Sequence, residues 1–261
     1  MSHRFQTLFV GSNLKMYQTN RQTLEFLALL QQLTRDIPRP QLKLFILPSY
    51  TALADACRMV DHDRIWIGAQ NMHWEEQGQF TGEISPIQLR DIGVDLVMVA
   101  HAERRQHFGE TDALANSRVL SSLAHGFQTL LCVGDRREDL QSGQSAEVLS
   151  RQLEVGLAGV ASEQADRLWV AYEPAWAIGE GGTVADPSFA NEMHAVLREI
   201  LRKCFPDREA GVPLLYGGSV NLENAVDLIR QPEIDGLFIG RAAWDAVRLN
   251  RIARETLATR L

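Results

Sequence analysis

The segment TLFVGSNLK at residues 7–15 sets the pattern for the whole chain: a short run, apolar through its length, that ends in the polar side chains Asn13 and Lys15. A strand that is apolar throughout, rather than alternating, is buried on both faces. Seven further runs of this kind follow, at residues 43–48, 65–70, 94–100, 127–133, 167–173, 212–217 and 235–240. The gaps between them carry helical spacing, with Phe26, Leu29, Leu30 and Leu33 in the first and Phe189, Met193, Val196, Leu197, Ile200 and Cys204 in the sixth. Asp186 before Pro187 reads as an N-cap followed by proline at the first helical position. The third gap, at residues 86–92, has room for only a short helix. Strict alternation of strand and helix implies a parallel sheet, and eight units in 261 residues favour an α/β closed parallel (β/α)8 barrel over an open doubly wound sheet. The polar residues decide between them. Asn13 and Lys15 follow the first run, His101 the fourth and Ser219 the seventh, while Glu173 ends the sixth and Gly240 the eighth. A closed barrel puts all strand C-termini on one face, where residues more than 200 positions apart converge; an open sheet cannot gather them. With no linker or low-complexity tract, residues 1–261 read as a single barrel domain.

Composition sets outer limits on function. The chain is 45% apolar and 23% charged, ordinary for a globular protein. Its 26 Lys plus Arg against 33 Asp plus Glu give a net charge of −7, which argues against a general nucleic-acid or anionic-membrane surface. An anionic ligand then needs a local positive pocket. Cys57, Cys132 and Cys204 are odd in number and far apart, which suggests neither a disulfide framework nor a metal cluster and fits a reducing cytoplasm. No stretch approaches the ~20 apolar residues of a membrane span, and the N-terminus lacks a signal-peptide core.

Six segments carry a specific resemblance: GSNLKMY at 11–17, QFTGEIS at 79–85, AHAERRQHFGETD at 100–112, AYEPAWAIGEGGTVADP at 171–187, LYGGSV at 215–220 and DGLFIGRAAW at 235–244. In content, order and spacing they resemble the triosephosphate isomerase family over nearly the whole chain, which implies a TIM barrel. The resemblance implies isomerisation between a phosphorylated α-hydroxy aldehyde and α-hydroxy ketone, without cofactor or metal. A carbon-bound proton must move, which needs a base over the carbon, an electrophile on the oxygens and a pocket that excludes water. This family is itself the standard worked case of a glutamate base paired with a neutral histidine electrophile. By resemblance those roles fall to Glu173 and His101, with Lys15 and Asn13 as donors to the enediolate. Lys15 is one of only three lysines against 23 arginines, a bias under which a drifting surface cation here is usually Arg.

The resemblance places the phosphate on backbone amides: Gly217, Gly218 and Ser219 after the seventh strand, Gly240 and Arg241 after the eighth, and Gly179 on a lid at residues 174–185 whose underside is Trp176 and Ile178. Residues 71–83 resemble the family's dimer loop. In an isologous homodimer Thr81 then reaches across toward Asn13 and Glu103, and exposed apolar residues of the loop meet the partner. The chain departs from the family at Leu14, Tyr17, Met72, His73, Trp74, Ala102, Glu180, Gly182, Phe238 and above all Arg241, where glycine is usual. The departures cluster at the phosphate end and the pocket wall. They leave three readings: a triosephosphate isomerase, a paralogue acting on another ketose phosphate such as a tetrulose phosphate, or a phosphate-ligand sensor, the last disfavoured by retention of Asn13, Lys15, His101 and Glu173 together. The Arg241 side chain either enters the pocket, suiting a larger substrate, or points outward as a surface ion-pair partner, the reading taken here.

Overall fold

In the computed structural model, which describes residues 4–179, 182–208 and 211–260, all eight runs contain strands. They are β1 (Leu8–Asn13), β2 (Leu42–Leu47), β3 (Ile65–Ala69), β4 (Leu96–Val99), β5 (Gln128–Val133), β6 (Leu168–Tyr172), β7 (Leu214–Tyr216) and β8 (Gly236–Ile239). Each pairs in parallel with the next, and β8 returns to β1 from Phe9↔Gly236 to Ser12↔Ile239, so the sheet closes into a TIM barrel. Two strands, β4 and β7, fall furthest short of their runs, each for a physical reason. Pro213 has no amide for the ladder, so β7 begins after it, although the Pro213 carbonyl still accepts from the Val170 amide. Ala100, at φ +60°, turns the chain out of extension just before His101 and ends β4.

The described helices are α1 (Asn20–Thr34), α2 (Tyr50–Met59), α3 (Pro86–Asp91), α4 (Ala102–Phe108), α5 (Asp112–Ala124), α6 (Arg137–Gln141), α7 (Ser145–Gly156), α8 (Pro187–Cys204), α9 (Ala225–Ile229) and α10 (Ala246–Leu257). The third gap does hold only a short helix, started by a Ser85–Gln88 capping box, and Asp186 caps α8 by accepting from the Ser188 amide at 2.8 Å. Two helical stripes are corrected. In α1 the buried face is Thr23, Phe26, Leu27, Leu30 and Thr34, so Leu29 turns outward at 39% exposure. In α8, Cys204 is exposed in the last turn, and the inward face runs through Ala190, His194, Leu197 and Leu201.

The core has two layers, as a doubly buried sheet requires. Phe9, Phe45, Met98, Trp169, Leu215 and Phe238 belong to the layer that fills the barrel, and a larger apolar layer packs strands against helices. This filled interior leaves the loops at the C-terminal mouth as the place for a site.

Candidate active site

Asn13, Lys15, His101, Glu103 and Glu173 border one cavity of about 570 Å³ at that mouth. Gly179, Ser219, Gly240 and Arg241 border its other side. Thr81 does not; it lies exposed on the loop between β3 and α3.

Lys15 occupies left-handed backbone, φ +52°, which costs a non-glycine residue ~1 kcal/mol or more and persists only where the surroundings hold it. Three contacts do so. The Lys15 amide donates to Asn13 Oδ1 at 2.8 Å, the Gln70 side-chain amide donates to the Lys15 carbonyl at 2.9 Å, and the Trp244 indole donates to the Asn13 carbonyl at 2.9 Å. The ammonium that results stands 2.5 Å from Glu103 Oε1.

His101 is the N-cap of α4, and its Nδ1 accepts from the Glu103 amide at 3.2 Å. An accepting Nδ1 carries no proton, so the neutral ring bears its hydrogen on Nε2. That nitrogen lies 3.2 Å from Glu173 Oε1, while Glu173 Oε2 accepts from the Ala102 amide at 2.9 Å. Glu173 is 1% exposed. Gly134 permits this packing, because a Cβ there would lie 1.9 Å from the Glu173 carbonyl oxygen. The Cys132 thiol lines the same wall; burial first, and the Glu173 charge second, push its pKa up and keep it neutral.

The start of the segment expected to form a lid, at residues 174–178, is tied down by Asp135, fully buried after β5. Its carboxylate accepts from Tyr172 Oη at 2.9 Å, Trp176 Nε1 at 3.0 Å and Ser145 Oγ at 2.7 Å. Arg137 Nη2 donates to the Trp176 carbonyl and to Thr183 Oγ1, both at 3.4 Å, and so joins two points of the segment 174–185. Gly179 sits beside the cavity at φ +89°, whereas Glu180 falls outside the described residues. On the side of Ser219 and Gly240, Asn224 Nδ2 holds the Ser219 carbonyl at 2.9 Å, and the Arg241 side chain is exposed at the rim. Sequence reasoning missed Asp135 and Gln70, although both follow buried strands just as Lys15 and His101 do.

The loop at residues 71–83 closes through a bond from the His73 amide to the Ile84 carbonyl at 2.8 Å. Met72, expected among exposed apolar residues, is instead 1% exposed within its own subunit, its carbonyl held by Arg118 Nε at 2.9 Å. His73 is buried too and stacks on Trp74 and Phe80 at 4.1 and 4.2 Å. Phe80 is exposed on this loop, and Met16, Tyr17 and Phe108, the last residue of α4, are exposed elsewhere on the molecule.

A barrel whose strand ends bring a dry carboxylate, an imidazole N–H and an ammonium to one cavity, beside glycine-rich amides, belongs to the enzymes that move a proton at carbon next to a stabilised oxygen. The family model described as triosephosphate isomerase matches residues 8–256, and the chain belongs to that family. It is similar to the L-erythrulose-1-phosphate isomerase of Rhizobium etli, 42% identical over 91% of this chain and 88% of the relative. The L-erythrulose-1-phosphate isomerase of Brucella melitensis is 40% identical over 91% of both chains. The triosephosphate isomerase of Fusobacterium nucleatum is 40% identical over 92% of this chain and 94% of the relative. Family and relatives alike are isomerases, and this chain is an isomerase of the triosephosphate-isomerase type, with a phosphorylated sugar as its class of substrate.

Proposed function

We propose that this chain isomerises a four-carbon ketose phosphate, L-erythrulose 1-phosphate, rather than a triose phosphate. The observation that carries this reading is the identity to L-erythrulose-1-phosphate isomerases across about nine-tenths of both chains. In that compound the phosphate is on C1, the carbonyl at C2, and C3 bears a hydroxymethyl group that dihydroxyacetone phosphate lacks. The proton therefore leaves C3 and returns at C2, and the carbonyl moves to C3 through an enediolate. Glu173 takes the proton, His101 Nε2–H and Lys15 donate to the two oxygens, and Asn13 holds Lys15 in place. The amides of Gly179, Ser219 and Gly240 hold the phosphate, with Arg241 at the mouth. Ala102 holds Glu173 through its backbone amide, so this contact does not depend on its side chain.

The active unit is a homodimer joined through residues 71–83, with Thr81 of one subunit reaching Asn13 and Glu103 of its partner. Phe80, an exposed apolar side chain on this loop, supports that reading. Purified protein assayed on both substrates tests the substrate assignment. The expected kcat/KM is at least about tenfold higher for the four-carbon substrate, equivalent to ~1.4 kcal/mol of transition-state preference. A preference for triose phosphate returns the chain to the other reading, which the Fusobacterium relative favours. In the same assay Glu173→Gln is expected to lose about 10²–10⁴-fold in kcat while still binding a phosphate-bearing ligand.

A further inference from the structure

The opposite, N-terminal mouth of the barrel holds a second cavity of about 390 Å³ that the isomerisation does not use. It lies where β3 and β5 begin and β6 is entered, bordered by Trp66, Gln128, Arg90 and Arg167, with Asp95 as the one carboxylate among its described lining. Gly126 also borders it. At φ +79° it follows the end of α5, and a Cβ there would lie 3.1 Å from Arg90 Nη1 and 3.3 Å from Arg167 Nη1. Two guanidinium heads thus converge on one point.

The charges gathered here have few internal partners. Arg167 makes no side-chain hydrogen bond or ion pair among the described residues, and Arg90 donates only to the His125 carbonyl. Lys43 adds a third cation nearby, its Nζ 3.8 Å from the Trp66 ring centre. Asp95 answers Lys43 in part, while its Oδ2 accepts from His62 Nδ1 at 2.7 Å and from the Ile67 amide at 2.8 Å and it makes no ion pair with Arg90 or Arg167 among the described residues. Gln128 is 8% exposed, and its Nε2 is buried without an acceptor. Like charges that converge beside an unpaired amide donor are stabilised by an anion between them, and forked guanidinium donors match the oxygens of a phosphate. The volume, within the usual range for small-molecule sites, exceeds a bare anion.

We propose that this cavity is a second anion-binding site, one that takes a phosphate group, free or as the ester of a small metabolite, on the face opposite the catalytic one. The site stands independently of which sugar phosphate the enzyme isomerises.

The test is a titration of 15N-labelled protein with sodium phosphate at constant ionic strength, against a sodium chloride control. The Gly126 amide and the Trp66 indole N–H are expected to shift saturably with phosphate and not with chloride. In the Arg90→Ala, Arg167→Ala double variant their apparent Kd is expected to weaken at least about tenfold, while the Ser219 and Gly240 amides still respond at the catalytic face. Unchanged isomerase activity shows that the variant is folded; the single variant Arg167→Ala, at an exposed side chain, gives the same reading if the double variant does not fold. Absence of shifts at Gly126 and Trp66, equal shifts with chloride, or an unchanged Kd in the variants overturns the proposal. Glycerol phosphate binding at least about tenfold tighter than phosphate identifies the ester as the ligand, and equal affinity identifies free phosphate.

Discussion

His194 shows how a single side chain sets a condition on the whole barrel. It is fully buried in α8, its Nδ1 bonded to the Ala190 carbonyl at 2.7 Å and its Nε2 without a partner. Burial, the dominant cause, lowers its pKa to about 4 against the Ala190 bond, which raises it. In the unfolded chain the same ring titrates near ~6.5. Between those values the unfolded state binds a proton that the folded state refuses, so stability falls as pH drops from about 6.5 toward 4. His194→Asn keeps a donor for Ala190 and removes the titration. Its unfolding free energy, measured by urea at pH 7 and pH 5, is expected to fall by about 2 kcal/mol less than that of the parent. An equal fall in both proteins assigns the acid sensitivity to the carboxylates instead. At this scale much of the site was legible in sequence, because a polar side chain straight after a doubly buried run has only the barrel mouth to occupy. The His101 tautomer was not legible, since it depends on the Glu103 amide meeting Nδ1.

Elements were legible in existence and less so in phase. The eight strands are where their apolar runs lie, yet Leu29 and Cys204 turned out exposed, because the inward stripe of each helix is set by the sheet it packs on. The lid base was missed for a related reason: Asp135 gains its meaning from Tyr172 and Trp176, 37 and 41 positions away. A buried carboxylate with three donors joins β5, β6, α7 and the lid, and removing its charge leaves donors with a weaker acceptor. Asp135→Asn is therefore expected to destabilise the protein by about 1–3 kcal/mol and to raise the exposure of Trp176. Thermal unfolding and iodide quenching of tryptophan fluorescence measure the two effects. A variant with parental stability and quenching makes Asp135 dispensable to the lid.

Over the whole molecule, large exposed apolar side chains recur from Met16 to Val247, and Met16 is the most exposed of them among the described residues. Met16 is 94% exposed, Phe108 68% and Phe80 45%, and Met16 directly follows the strained Lys15. Burying one such side chain fully contributes ~1.5–3 kcal/mol, so covering Met16 by a second copy would stabilise both the association and the loop that presents the ammonium. The proposed dimer thus links oligomeric state to the geometry of Lys15. Met16→Glu places a charge in the proposed interface without altering any group at the cavity. It is expected to sediment as a monomer and to lose about 10²-fold in kcat/KM, the scale of loss when a catalytic group is displaced by about 1 Å. Sedimentation velocity paired with the isomerase assay decides the matter. A monomer of parental kcat/KM would separate assembly from catalysis, and a dimer of parental activity would move the interface away from residues 71–83.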